Sequence, residues 1–204
     1  MKPVRLAILG LGTVGGGALK LLQENAAEIK RRTGREIQIT HVGTRRPRPD
    51  LQLEGIKQSS DLMEIVRQPD VDVVVEVMGG IHPAYEVIME AIKHGKQVVT
   101  ANKALLAEHG NELFKAAEDN AVQIAYEAAV AGGIPIIKVI REGLAANHIE
   151  WLAGIINGTG NFILSEMREK GRAFEDVLKE AQELGYAEAD PTFDVEGIDA
   201  AHKL

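Results

Sequence analysis

The sequence predicts an α/β fold, a doubly wound parallel sheet followed by the beginning of an α+β substrate domain. Three observations carry that reading. Strand-like runs alternate with helical periodicities over residues 4–126. Residues 71–77, Val-Asp-Val-Val-Val-Glu-Val, are nearly continuous in β-branched side chains, as a central parallel strand covered on both faces requires. A glycine-rich turn, Gly10-Leu-Gly12-Thr-Val-Gly15, separates the first strand-like run from the first helical one.

The elements follow in order. Residues 4–9 (Val-Arg-Leu-Ala-Ile-Leu) read as a buried strand ending at Gly10, and residues 16–30 carry Leu19, Leu21, Leu22, Ala26 and Ile29 at roughly helical spacing. Residues 37–42 alternate as a strand, 61–67 form a short helix, and 71–77 the central strand. Helix 83–94, strand 97–100, helix 104–119 and strand 122–126 complete the alternation, and such short connections require parallel strands. After Glu127 the character changes. Residues 128–133 are small and flexible, and Pro135 opens a helix to about Leu144. Residues 149–156 read as a strand, 161–170 as a helix, and 174–184 as a helix stopped by Gly185. The expected division is a dinucleotide-binding domain over residues 1–131 and a substrate domain over 132–204, read as incomplete.

A length of 204 residues is long for one domain and short for two. With 45% hydrophobic and 26% charged residues the composition is that of a soluble globular protein. The net charge of -7 argues against nucleic acid as a partner, because a phosphate backbone would be repelled. The absence of cysteine excludes a disulfide framework and thiolate chemistry. Met1-Lys2-Pro3 runs directly into a strand-like segment with no signal-peptide pattern. No apolar run reaches the roughly 20 residues of a membrane span. A cytoplasmic location without membrane contact is expected.

The glycine turn lies where a dinucleotide fingerprint belongs, which makes the sheet Rossmann-type. Gly10 permits a tight turn, Gly12 lets backbone N–H groups approach a pyrophosphate, and Gly15 allows helix and strand to pack closely. Thr13 and Val14 complete the turn, and the helix N-terminus offers partial positive charge to phosphates. The alternative is a purely structural glycine turn. At the end of the second strand, Gly43-Thr-Arg45-Arg46-Pro47-Arg48 puts arginines where an NAD-binding unit carries an acid. Arginine suits a 2′-phosphate, so NADP(H) is expected ahead of NAD; a solvated basic loop is the alternative. Met78-Gly79-Gly80-Ile81-His82-Pro83 and Thr100-Ala-Asn102-Lys103 follow two further strands, at the sheet edge where ligands lie. Lys103 there either meets cofactor or substrate or caps the sheet end in solvent, and His82 reads as structural.

In the second half, Asn157-Gly158-Thr159-Gly160-Asn161 suits either a close-fitting polar ligand or an ordinary capped turn. The last stretch crowds Glu188, Asp190, Asp194, Glu196 and Asp199 ahead of Lys203. Carboxylates can hold a substrate ammonium, and a lysine, ordinarily protonated at neutral pH, can give a proton to a developing alkoxide. Asp194 reads as an N-cap that makes residues 195–204 helical, with Asp199 and Lys203 one turn apart on one face. The alternative is a surface ion pair contributing roughly 0.3–0.5 kcal/mol.

Taken together these residues resemble homoserine dehydrogenase. The resemblance runs from the Gly10–Gly15 turn to the last residue. It includes Ala101-Asn102-Lys103, Glu127-Ala-Ala-Val130-Ala-Gly132-Gly133-Ile134-Pro135, Ile155-Ile-Asn-Gly-Thr-Gly-Asn161 and Gly185-Tyr-Ala-Glu188-Ala-Asp-Pro191, with Asp194-Val-Glu-Gly-Ile-Asp199-Ala-Ala-His-Lys203. It implies reversible reduction of L-aspartate 4-semialdehyde to L-homoserine with a nicotinamide cofactor, on the route to threonine and methionine. Lys203 would be the proton donor and Lys103 would stand at the reacting centre beside the nicotinamide, with Thr100 in the cofactor site. Thr159, Gly185, Glu188, Asp194 and Asp199 would surround the amino-acid part of the substrate. Backbone carbonyls of Glu127, Val130, Gly132 and Ile134 would hold a monovalent cation, commonly sodium. The intact family enzyme is expected to be a homodimer, and its catalytic region continues beyond the lysine matching Lys203. The chain is therefore expected to be a fragment, a short form or one piece of a longer polypeptide. Two other readings are a non-catalytic NADP(H)-binding fragment and another Rossmann reductase for a small amino-acid aldehyde.

Overall fold

A computed structural model of the chain describes residues 2–204; Met1, the first residue of the segment without a targeting pattern, lies outside the described residues. The chain divides into two compact units, Met1–Gly132 and Gly133–Leu204.

The first unit runs β1 (Val4–Leu9), α1 (Thr13–Glu24), α2 (Ala26–Thr33), β2 (Ile37–Gly43), β3 (Lys57–Ser59), α3 (Leu62–Arg67), β4 (Val73–Glu76), α4 (Ala84–Lys93), β5 (Gln97–Thr100), α5 (Lys103–Asp119), β6 (Ile124–Ala125) and α6 (Glu127–Val130). Its six strands form one parallel sheet in the order β3-β2-β1-β4-β5-β6, with Ile8 of β1 opposite Val42 on one side and Val75 on the other. The two-residue period of β1 divides the core. Ala7 and Leu9 join Ile65, Val66, Ile88, Ile92, Leu105 and Leu113 under α3, α4 and α5. Ile8 joins Leu19, Val42 and Leu51 under α1. Burying each such Ile or Leu contributes roughly 1.5–3 kcal/mol, so the sheet is held from both faces. The chain leaves at the β3 edge and returns to β4 beside β1. The strand order reverses there, which opens a crevice outside the carboxyl ends of β1 and β4.

The opposite, amino-terminal ends of β1 and β4 are pinned by charge. The Arg5 guanidinium grips Asp72 through Nε (3.0 Å) and Nη2 (2.7 Å), and the Arg5 backbone N–H also donates to that carboxylate at 2.9 Å. The hydrogen bonds from Arg5 outweigh burial and hold the Asp72 carboxyl down at about 2. Buried Lys96 donates to the Gln68 and Val71 carbonyls at 2.7 Å each, and burial pushes its ammonium below the usual lysine range.

Several boundaries differ from the sequence expectation. The helix expected over 16–30 starts at Thr13 and breaks at Asn25, whose side-chain amide donates to the Leu21 carbonyl and competes with the helical ladder. Strand β3, three residues with no apolar alternation, carries no sequence signal. Strands expected over 71–77 and 122–126 pair only over Val73–Glu76 and Ile124–Ala125.

The second unit comprises α7 (Ile136–Lys138), a π-helical turn (Val139–Gly143), α8 (Gly158–Lys170), α9 (Phe174–Glu183), α10 (Thr192–Val195) and α11 (Ile198–Lys203). Helices α8 and α9 form a hairpin over Ile163, Val177, Ala181 and Ala187, with Phe162, Met167, Phe174 and Leu178 packed against them. Gly171 turns the chain between them at φ 63°, and Arg172 ties Glu166 to Glu180 across the hairpin. The strand expected over 149–156 does not form. A strand needs a hydrogen-bonded neighbour, and among the described residues of this unit none pairs with it; Trp151 and Ile155 are each 78% exposed. The helix expected from Pro135 to Leu144 is a single α-turn followed by the π-helical turn. The helix expected over 195–204 is also corrected. Asp194 lies inside α10 rather than capping, and Gly197, at φ 75°, separates α10 from α11. Among the described residues no helix is long and apolar enough to cross a membrane.

Candidate active site

In the first unit the glycines divide their labour. Gly10 takes φ 96°, and a Cβ there would meet the Val77 carbonyl oxygen at 2.9 Å. A Cβ on Gly15 would stand 1.8 Å from the Gly10 carbonyl oxygen, so the close approach of α1 to β1 admits only glycine. A Cβ on Gly12 would meet no atom within 4 Å. Gly12 is the N-cap of α1, and among the described residues no side chain caps that end. The N–H groups of Thr13, Val14 and Gly15 therefore open the helix toward the crevice, as an anion site requires.

Two cavities flank this turn. The larger, about 820 Å³, is lined by Gly10 and Gly12, by Thr44, Arg45, Arg46 and Arg48 beyond β2, and by His82. Within it the three arginines are not equivalent. Arg48 is clamped by Asp50, with Nε at 2.9 Å and Nη2 at 2.7 Å, and that grip holds the Asp50 carboxyl down at about 2. The Thr44 hydroxyl donates to the Arg46 carbonyl at 2.7 Å and fixes the backbone from which Arg45 and Arg46 project. The smaller cavity, about 350 Å³, lies between Val14, the Val77–Gly79 loop and Ala101-Asn102-Lys103.

The loops around Lys103 rest on a buried polar network. Glu76 is fully buried at the end of β4 and accepts from the Met78 N–H at 2.8 Å and the Thr100 hydroxyl at 2.7 Å. Thr100 accepts in turn from the Asn102 N–H at 3.0 Å. The Asn102 side chain donates to the Gly80 carbonyl and caps α5 through Leu105 N–H. Thr100, expected to touch cofactor, is fully buried with its hydroxyl committed to Glu76. It supports the two loops from behind. An acid near the end of a β-branched run was the only sequence signal for Glu76.

In the second unit a cavity of about 700 Å³ is lined by Asn157, Thr159, Gly185, Asp194, Asp199 and Lys203 among others. Lys203 Nζ stands 2.7 Å from Asp199 Oδ2 and donates to the Ile156 carbonyl at 2.6 Å. Asp199 is 8% exposed, so its charge is largely removed from water and its partners matter. The Thr159 hydroxyl donates to the Tyr186 carbonyl at 2.7 Å, joining the start of α8 to the loop after α9. Glu188 is exposed and is not part of this lining. Asn157 links Asp194 and Asp199, a role the sequence, which offered this loop as a ligand contact or a capped turn, did not indicate.

Of the carbonyl donors expected for a cation, Glu127 opens α6, Val130 closes it, and Gly132 and Ile134 flank Gly133, which takes φ 80°. The Ile134 carbonyl accepts from Ile136 N–H at 2.8 Å. Among the described residues no group of three or more His, Cys, Asp or Glu side chains could hold a metal ion. A cation at this turn would therefore rest on backbone oxygens, hard donors suited to a hard ion.

Comparison with known proteins agrees over both units. The family profile of the homoserine dehydrogenase NAD-binding domain matches residues 10–127, and that of homoserine dehydrogenase itself matches residues 135–204. A homoserine dehydrogenase of Pseudomonas aeruginosa is 63% identical over 204 residues, covering all of this chain and 47% of that protein. The crystal structure of one from Thiobacillus denitrificans superposes with a TM-score of 0.91 at 61% identity, again over the whole chain and 47% of the other. A hyperthermophilic archaeal homoserine dehydrogenase in complex with NADPH matches at TM-score 0.83 and 29% identity, over the whole chain and 67% of its own. The chain spans about half the length of these curated relatives. With its glycine turn, its lysine–carboxylate cavity and both family profiles in place, this chain belongs to the homoserine dehydrogenase family.

Proposed function

We propose that the chain carries the cofactor-binding and substrate-binding machinery of an NADPH-linked homoserine dehydrogenase, reducing L-aspartate 4-semialdehyde to L-homoserine reversibly. The observation that carries this reading is the cavity in which Lys203, Asp199, Asp194 and Thr159 converge. It joins a proton donor to carboxylates able to hold a substrate ammonium.

When bound, the reduced nicotinamide supplies the hydride that arrives at the aldehyde carbon. As the C–H bond forms, the carbonyl electron pair moves onto oxygen. Lys203 then transfers a proton from Nζ to that oxygen, giving the alcohol. The contacts to Asp199 and the Ile156 carbonyl engage two of the three ammonium donors, which leaves a third N–H for the carbonyl oxygen. Asp199 keeps the ammonium oriented, while Asp194 and Thr159 supply polar contacts for the amino-acid end. Lys103, which lines the smaller cavity in the first unit, is assigned to the nicotinamide side.

NADPH is preferred over NADH in this reading because Arg45 and Arg46 line the larger cavity without an ion-pair partner among the described residues, whereas Arg48 is held by Asp50. The solved relative carrying NADPH supports the same choice. We also assign a monovalent cation, sodium, to the carbonyls of Glu127, Val130, Gly132 and Ile134, on the donor chemistry alone. Following NADPH absorbance tests the whole reading. Turnover with L-aspartate 4-semialdehyde is expected; turnover only with unrelated aldehydes points to another reductase, and NADPH binding without turnover to a nucleotide-binding fragment.

A further inference from the structure

One side chain in the second unit makes three contacts, of which the sequence offered only the helix cap. Asn157 Nδ2 donates to Asp194 Oδ1 at 2.8 Å and to Asp199 Oδ2 at 2.9 Å, and Asn157 Oδ1 accepts from the Gly160 N–H at 2.5 Å. The orientation of the amide is forced. Two carboxylates need donors and a helical N–H needs an acceptor, so the reversed amide would set oxygen against both anions. The residue is thus the N-cap of α8 and, at the same time, a bridge between α10 and α11. Gly160 is required beside it, because a Cβ there would stand 2.9 Å from Asn157 Oδ1.

The same Asp199 oxygen that accepts from Asn157 accepts from Lys203, and Lys203 also binds the carbonyl of Ile156, the residue preceding Asn157. Asn157 therefore fixes both anchors of the lysine ammonium: the carboxylate through its side chain and the carbonyl through its own backbone position. We propose that Asn157 is a positioning residue for catalysis, setting where the Lys203 ammonium stands by holding Asp199 and Asp194 together. Beyond the helix cap, its amide screens two carboxylates that would otherwise repel each other. The catalytic part of this inference rests on the homoserine dehydrogenase reading.

The two duties separate chemically. Serine caps a helix about as well as asparagine, but its short hydroxyl cannot cap α8 and reach both carboxylates. Asn157→Ser in the full-length protein should therefore melt within a few degrees of the parent and keep the KM for NADPH. Its kcat should fall by roughly 10–100-fold, the scale of a misplaced reacting group. Asn157→Asp, also a competent cap but adding a third carboxylate, should fall further. Wild-type kcat in Asn157→Ser would overturn the proposal and leave the residue a helix cap.

A second measurement needs no turnover. The Lys203 side-chain ¹⁵N signal, assigned by its loss in Lys203→Arg, should show slowed proton exchange in the parent and exposed-lysine behaviour in Asn157→Ser. An unchanged Lys203 signal would overturn the positioning role even if the substrate proved to be a different aldehyde. Absence of any turnover in the parent, with the NMR change present, would refute the functional reading and leave the positioning of Lys203 standing.

Discussion

Asp199 and Lys203 stand one turn apart on α11, with the lysine Nζ 2.7 Å from Asp199 Oδ2. On an exposed helix such a pair would contribute a few tenths of a kcal/mol. Here the Asp199 side chain is 11% exposed and the Lys203 side chain 21%, and a third group, Asn157, shares the same oxygen. The pair is thereby a fixed point from which a proton can be delivered. The pair sits on a six-residue helix preceded by a left-handed glycine, Gly197 at φ 75°, which breaks the chain between α10 and α11.

The glycines of the nucleotide turn are expected to fail differently. Gly15→Ala drives a Cβ into the Gly10 backbone and should destabilise the first unit by about 3 kcal/mol, seen as a lowered Tm. Gly12→Ala meets no protein atom within 4 Å and should leave Tm near the parent value while weakening NADPH binding. Equal loss of stability in both would contradict the division of roles.

Arg45→Ala should raise the Kd for NADPH roughly 10–150-fold and leave NADH nearly unchanged, since one charge-assisted hydrogen bond contributes about 1.5–3 kcal/mol. The discrimination should shrink with added salt. Arg48→Ala should matter less, because Asp50 already holds that guanidinium. Titrating both nucleotides by fluorescence checks this; parallel losses for NADPH and NADH would contradict it.

Thr100→Val keeps shape and β-branching but removes the donor to Glu76 and the acceptor for Asn102 N–H. Leaving those buried partners unsatisfied should cost about 1–3 kcal/mol, measured by denaturant unfolding. Amide exchange in the Ala101–Lys103 loop should quicken in the same variant.

The Arg5–Asp72 clamp has a signature in acid. The folded-state carboxyl of Asp72 sits at about 2, below its ordinary 3.8. A depressed carboxyl stabilises the fold fully above its unfolded value and loses that contribution as pH falls through the folded one. Asp72→Asn should therefore lower Tm at neutral pH, and its deficit against the parent should close between about pH 4 and pH 2. A deficit constant across that window would show that the ion pair is not its source.

The Rossmann half was legible because its signals are local. The period of two in β1, the β-branched run ending at Glu76 and the glycine turn each specify an element with no distant partner. Asp199 and Lys203 were legible for the same reason, being four residues apart on one helix. What escaped depends on contacts distant in sequence. Strand β3 exists because His41, Val42 and Gly43 pair with it. Asn157 reaches Asp194 and Asp199 across 37 and 42 residues, beyond the reach of any spacing rule. Residues 149–156 have a strand's composition without a paired neighbour, and Gly197 broke a helix whose periodicity alone gave no reason to stop.

The central claim is that Lys203 is the proton donor, and replacing it by alanine tests it most directly. In the full-length protein, Lys203→Ala should lower kcat for L-aspartate 4-semialdehyde reduction by about 10²–10⁴-fold, the range of general acid catalysis. The Kd for NADPH should remain that of the parent, since the first unit is untouched. A variant that binds NADPH normally and turns over at the parental rate would contradict the account.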